Sequence, residues 1–418
     1  MLPHPDLRIN IDRLQQRLAE LSDMGGIEGT TGSSRLAFTD ADKAGRDLVV
    51  TWMTDLGLDV TVDGIGNVIG VWRPDGIDPS RVDAAPVMTG SHIDTVATGG
   101  RYDGNLGVLA GLEVIETLAT AGVVPTRPLA VAFFSNEEGS RFPPDMMGSL
   151  VYVGGMGLEQ AHNTVGIDGA TVGQELDRIG YRGPAPCPGL VPHAFVELHI
   201  EQGPVLEEEG MQIGVVESVQ GISWTEVTIE GQSNHAGTTP MRLRHDAGYA
   251  AASVAAYVRD MVTEIGHPQV GTVGMIDLHP NLVNVVAARA QLTVDLRNTD
   301  NEILVESEKR LQAHLDQLAA DEGVAFSTRS LARFDPVQFD PAVVDTVEAT
   351  ANALGLSTLR MPSGAGHDAQ MMARICPTAM IFTPSHKGIS HNPAEHTDSV
   401  DLAAGANTLL QVVSILAS

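Results

Sequence analysis

The segment Leu129–Phe134 (LAVAFF) is an unbroken apolar run that leads straight into Ser135-Asn136-Glu137-Glu138-Gly139. A strand with one face in water alternates apolar and polar residues, whereas a strand covered on both faces does not. The run therefore predicts a strand buried within a mixed or parallel sheet. Two adjacent carboxylates at the end of such a strand are costly unless something cationic compensates them. One can bind a metal while its neighbour acts as a general base; a solvated acidic loop is the plainer alternative.

Other segments extend this α/β pattern. Pro86–Thr95 (PVMTGSHIDT) reads as a strand that runs into a loop, and Thr378–Thr383 (TAMIFT) as another buried strand. Leu106, Leu109, Leu112, Ile115 and Leu118 recur at helical spacing. Ala194–Gly203 (AFVELHIEQG) alternates, with Val196, Leu198 and Ile200 on one side and Glu197, His199 and Glu201 on the other. Helices are predicted over Asp345–Leu354 and Asp401–Leu416, and Gly180–Pro192 is read as a surface loop.

The pattern changes after Gly210. Gly214–Glu230 holds two strand-like stretches around Gly221. A helix over His245–Ile265 follows, then strands near Thr272–Leu278 and Ala287–Arg297, a helix over Glu302–Leu318 and a strand near Val324–Thr328. This order predicts an α+β sandwich inserted into the α/β domain. With 418 residues, two domains are expected. The expected division is 1–212 with 332–418 for the first, and 213–331 for the insert.

The formal net charge is -28, which argues against nucleic acid or an anionic membrane as partner. Two cysteines, Cys187 and Cys376, make no disulfide framework and favour a reducing compartment. The first residues, MLPHPDLRIN, lack the apolar core of a signal peptide, and no apolar run is expected to reach membrane-spanning length. A cytoplasmic location is the expectation.

Chemistry-bearing side chains gather at the ends of the predicted strands. His92 and Asp94 follow the first, where open α/β sheets form their sites. Asp94 is placed to accept the other ring N–H of His92 or to lie beneath a metal. Asp103 sits in Gly99-Gly100-Arg101-Tyr102-Asp103-Gly104-Asn105 before a helix, and alone it reads as a helix cap. His199 alone reads as a satisfied core histidine. The last loop offers His386, His391 and His396, which spacing does not separate. Together, four strand ends deliver His, Asp or Glu, a donor set suited to zinc, with manganese, cobalt and nickel as alternatives.

Several stretches, in this order, resemble the amidase, hydantoinase and carbamoylase family of the di-zinc aminoacylase and carboxypeptidase superfamily. They are Gly90-Ser91-His92-Ile93-Asp94-Thr95, Gly99 to Gly104, Asn136-Glu137-Glu138-Gly139-Ser140-Arg141-Phe142, Glu197 to Gly203 and Ser390-His391-Asn392. The likeness runs from about Gly26 to Asp398. It implies a mixed-sheet di-metal peptidase-like catalytic domain with an inserted lid and dimerisation domain. His92, Asp103 and His199 would hold one metal, and Asp103, Glu138 and His391 the second. Glu137 would be the general base. The wider superfamily's peptidases carry a carboxylate where this chain has His199, which points to the carbamoylase branch.

The resemblance also assigns His235, within Ser233 to Pro240, to polarising the scissile carbonyl of a neighbouring subunit's substrate, so a homodimer is expected. Gln202, Asn284, Arg297 and Gly366 would bind substrate, with Arg297 clamping a carboxylate. Without the family, Arg297 reads as a surface ion pair and His235 as a turn histidine. The implied reaction is hydrolysis of an N-carbamoyl-L-amino acid to the amino acid, ammonia and carbon dioxide. Allantoate or ureidoglycolate amidohydrolase, dipeptidase or N-acyl-amino acid hydrolase, and a non-enzymatic metal-dependent binding protein are the alternatives.

Overall fold

A computed structural model describes residues 2–418. The chain divides into two compact units, 1–217 with 339–418, and 218–338. Its strands are β1 (Asp59–Val62), β2 (Val68–Trp72), β3 (Val87–His92), β4 (Leu129–Phe134), β5 (Ala194–Ile200), β6 (Ile213–Val219), β7 (Gly221–Glu230), β8 (Val270–His279), β9 (Arg289–Asn298), β10 (Ala325–Phe334), β11 (Val337–Gln338), β12 (Thr358–Ser363) and β13 (Thr378–Thr383).

The larger sheet is nine-stranded and mixed. Its order is β1-β2-β4-β3-β5-β13-β6-β11, with β12 also on β6. The middle four, β4-β3-β5-β13, run parallel. Every residue of β3, β4, β5 and β13 is buried. This corrects the expectation for β5: the side carrying Glu197 and His199 is as dry as the other. Pairing of β3 with β5 stops at Thr89↔Val196. Beyond that point the helix Asn105–Thr120 approaches closely, because Gly107 lacks a Cβ that would stand 2.5 Å from the Leu198 carbonyl oxygen.

The helix Ser399–Leu416 packs on β5 and β13. Contrary to expectation, it has the length and apolar content to cross a membrane, at a mean hydropathy of 1.4. The apolar content is explained by burial, since 61% of it lies inside the structure.

The second unit is a four-stranded antiparallel sheet, β10-β7-β9-β8. Helices Ala247–Ile265 and Asn301–Glu322 share one core with it, including Val227, Ala251, Val258, Leu292 and Leu315. The expected boundaries at 212/213 and 331/332 therefore move. β6 pairs with β13 in the large sheet, and β10 runs on to Phe334, past the expected end of its strand.

Candidate metal centre

The parallel strands deliver four groups from their carboxyl ends, as open α/β sheets do. His92 ends β3, Glu137 and Glu138 follow β4, His199 is the penultimate residue of β5, and His391 lies in the loop after β13. Asp103 comes from the turn before the helix Asn105–Thr120. Its Oδ1 is 3.5 Å from His92 Nε2 and 3.2 Å from His199 Nε2. Its Oδ2 is 3.4 Å from His391 Nε2, which is in turn 3.2 Å from Glu138 Oε2. Two groupings able to hold a cation thus share Asp103: His92–Asp103–His199 and Asp103–Glu138–His391. Glu137 Oε2 lies 3.3 Å from His92 Nε2.

The tautomers suit ligation. His92 Nδ1 donates to the Asp94 carbonyl (2.9 Å) and His199 Nδ1 to the Ile200 carbonyl (2.8 Å), because a carbonyl oxygen can only accept. Each ring therefore turns Nε2 inward. The Gly104 amide donates to His199 Nε2 (3.1 Å), so that nitrogen carries its lone pair. A third grouping, Glu197–His199–His367, is already occupied by hydrogen bonds. Glu197 accepts from Ser91 Oγ (2.5 Å) and the Ala369 amide (2.8 Å), and His367 pairs with Ser363 Oγ (2.9 Å).

Electrostatics point the same way. Burial would raise Asp103, but the imidazoles of His199, His391 and His92 facing it outweigh that and hold the carboxylate well below its usual range. The Asp103 and Glu138 carboxylates push His391 up to about 10. Burial drives Glu137 well above the ordinary glutamate value, opposed by His92 and reinforced by Asp368 and Glu138. Three imidazoles drawn onto buried carboxylates form a donor set that a divalent cation fits.

The expected partners are partly rearranged. The backbone carbonyl of Asp94, not its carboxylate, orients His92. The carboxylate instead accepts from the amides of Glu137 (3.2 Å) and Glu138 (3.3 Å), fixing the acidic turn. Gln202 Nε2 donates to Asp103 Oδ2 (2.8 Å), beside Ser390 Oγ (3.0 Å). Asn136, Gln202 and His391 all adopt left-handed backbone (φ 54°, 59° and 54°), strain that gathers around functional sites. The histidine ambiguity also resolves. His386 pairs with Glu207 and His396 with Asp398, both on the surface, and His391 faces the cluster. Gly366 lies beside Met146, and the next residue, His367, packs edge-on against His199 with ring centroids 4.6 Å apart.

Glu395 escaped the sequence reading. Its carboxylate accepts from the amides of Tyr102 (2.9 Å) and Asp103 (3.2 Å) and from Ser390 Oγ (3.1 Å). One signal was present: a Cβ on Gly100 would stand 2.1 Å from Glu395 Oε1, so glycine is required there.

His235, Asn284 and Arg297 belong to the second unit. His235 bridges to Val285, and the Asn284 carbonyl accepts from the Ala236 amide (2.9 Å), so those two loops adjoin. His235 Nδ1 accepts from the amides of Gly237 (3.1 Å) and Thr238 (3.2 Å), which leaves the proton on an exposed Nε2. Arg297 pairs with Asp295 (2.9 Å) and lies over the Trp224 ring.

Comparison with known proteins agrees with this architecture. Residues 88–414 match Peptidase family M20/M25/M40. The N-carbamoyl-L-amino-acid amidohydrolase of Rhizobium meliloti is 42% identical over 98% of this chain and 97% of its own, and that of Geobacillus stearothermophilus is 39% identical over 97% and 98%. Relatives at 36% identity include the allantoate amidohydrolase of Escherichia coli (97% of each chain) and the ureidoglycolate hydrolase of Arabidopsis thaliana (96% of this chain, 86% of that one). The crystal structure of an amidase of the hydantoinase/carbamoylase family from Burkholderia multivorans superposes with a TM-score of 0.94, at 43% identity and 98% of each chain. The chain belongs to the M20/M25/M40 peptidase family and, with its hydantoinase/carbamoylase relatives, to the amidohydrolases of linear amides.

Proposed function

We propose that this enzyme hydrolyses N-carbamoyl-L-amino acids to the free amino acid, ammonia and carbon dioxide, using two divalent metal ions. The observation that carries the reading is Asp103, whose two oxygens face separate ligand groups with Glu137 beside one of them. His92, Asp103 and His199 would hold one ion, and Asp103, Glu138 and His391 the other. Imidazole and carboxylate donors favour zinc, with manganese, cobalt and nickel as alternatives. When bound, such ions polarise a carbonyl and make water a nucleophile at neutral pH.

The remaining chemistry falls to the chain. Glu137, raised by burial, takes a proton from the attacking water and returns it to the leaving nitrogen. His235 Nε2–H donates to the carbonyl oxygen as negative charge develops there. Gln202, Asn284, Arg297 and Gly366 bind the substrate, with Arg297 exchanging Asp295 for the substrate carboxylate.

The names of the relatives support the carbamoyl substrate, and His199 in a position where a peptidase would carry a carboxylate supports it further. Allantoate or ureidoglycolate is the second reading, favoured by the relatives from Escherichia coli and Arabidopsis. A homodimer in the cytoplasm completes the proposal. It is supported by the open, apolar edge strand β8, with Val270, Met275 and Ile276 exposed, and by two free thiols. The test is ammonia or amine release from N-carbamoyl amino acids, allantoate, ureidoglycolate and dipeptides, each with zinc, manganese, cobalt and nickel. Turnover of dipeptides alone would sink the proposal, and preference for allantoate would select the second reading.

A further inference from the structure

Arg35 is fully buried, yet none of its hydrogen bonds goes to a carboxylate. An interior charge is expensive, and the buried carboxylates of Asp42 and Asp94 offset part of that cost without hydrogen-bonding the guanidinium. Here Nη1 caps the end of the helix Ile11–Asp23 through the carbonyls of Leu21 (2.7 Å) and Met24 (2.8 Å). The other two contacts lead towards the metal centre. Nε donates to the carbonyl of Ile93 (2.7 Å), the residue after His92. Nη2 donates to Asn105 Oδ1 (2.9 Å), two residues after Asp103. Asn105 Nδ2 in turn donates to the Arg101 carbonyl (3.2 Å), which closes the turn presenting Asp103. The backbone around Arg35 is stitched to the same connection. Its amide donates to Thr95 Oγ1 (2.8 Å), its carbonyl accepts from the Thr95 amide (3.0 Å), and Ser33 and Gly99 exchange two bonds.

We propose that Arg35 is a positioning residue for the metal centre: its guanidinium fork joins the strand end carrying His92 to the helix start carrying Asp103 and fixes the spacing of these two ligands. A planar fork can reach three segments at once, whereas an ammonium is a point donor. Arg35 touches neither substrate nor metal and acts only through the two loops. The proposal rests on the reading that His92 and Asp103 share a cation.

Asn105→Ala and Arg35→Lys test it. Asn105→Ala cuts the link to the Asp103 turn and leaves the helix cap in place. Three measurements are needed: zinc affinity by chelator competition, the visible absorption of the cobalt(II) form, and the melting of the metal-free protein. The expected result is zinc affinity about ten- to a hundredfold weaker in both variants, the scale for partners that orient ligands. The cobalt bands should change, and Asn105→Ala without metal should still melt cooperatively. Wild-type affinity and cobalt spectrum in Asn105→Ala would overturn the proposal. So would weakened binding only in a variant that has lost cooperative melting. If Arg35→Lys does not fold, Asn105→Asp takes its place, because it keeps the acceptor for Arg35 and loses only the donor to the Arg101 carbonyl: near wild-type zinc affinity there beside weakened affinity in Asn105→Ala supports the proposal, and equal weakening in both overturns it. Failure of the wild-type protein to bind zinc would instead count against the metal-centre reading itself.

Discussion

Gly104 stands against one of the candidate metal ligands. Its φ is 65°, and a Cβ would stand 2.4 Å from the ring of His92. Gly104→Ala must therefore move His92, the partner of Asp103. We expect metal content after dialysis to fall with activity, by roughly tenfold or more in affinity. A fully loaded, fully active Gly104→Ala enzyme would show that His92 is not a ligand. Glu137 makes a different prediction, because it is assigned to proton transfer. Glu137→Gln should keep its metal and lose roughly a hundredfold or more in rate, measured by ammonia release. An unchanged rate removes Glu137 from the mechanism. His92 and Glu137, at the ends of apolar strands, were legible because their polarity stood out against those runs; His199 was not legible in this way, because its strand alternates in sequence and the dryness of both its faces shows only in the fold. Glu395 was not legible, because its loop has no periodicity and the backbone amides it accepts from lie some 290 residues away in sequence.

At the scale of elements, the helix Asn105–Thr120 couples packing to chemistry. It begins two residues after Asp103 and lies against β3 and β5. Gly107 and Gly111 face the sheet, and a Cβ on Gly107 would meet the Leu198 carbonyl at 2.5 Å and Ser91 Cβ at 2.9 Å. Gly107→Ala should push the helix away from β5. Overpacking of this kind costs about 1–3 kcal/mol, more than the helix-propensity gain of roughly 1 kcal/mol or less. The expected outcome is a lower urea midpoint of the metal-free protein and weaker metal binding; an unchanged or higher midpoint contradicts this account of the packing. The helix itself was readable from Leu106, Leu109, Leu112, Ile115 and Leu118. The burial of nearly its whole circumference was not, because Gly107, Ala110 and Glu113 carry no apolar periodicity. β6 misled for a related reason. A strand's pattern reports which faces are buried and is silent on which sheet supplies its neighbours.

At the scale of the molecule, a chain of net charge -28 should repel a second copy except where local charge is sparse. The two edges of the smaller sheet differ in this respect. β10 carries Arg329 and Arg333, whereas β8 has one carboxylate, Asp277, and exposes Val270, Met275 and Ile276. An uncovered apolar edge invites pairing, and a strand meeting its own copy satisfies twofold symmetry. The strands of this unit were legible from their apolar runs. Which strands form its edges was not, because a sequence does not say which strand ends a sheet. If two copies pair and His235 serves the partner's active site, two inactive variants should rescue each other. Glu137→Gln lacks the base but supplies His235; His235→Ala keeps the base but lacks the donor, and should be slower by roughly a hundredfold or more. In a mixed dimer, the site with Glu137 intact receives its histidine from the other subunit. Random reassortment makes half the dimers mixed, with one working site each, so about a quarter of wild-type activity should return. Mixing after reversible dissociation, with ammonia release as the readout, measures it. A histidine acting within its own chain restores nothing, because each site of the mixed dimer then lacks one of the two groups.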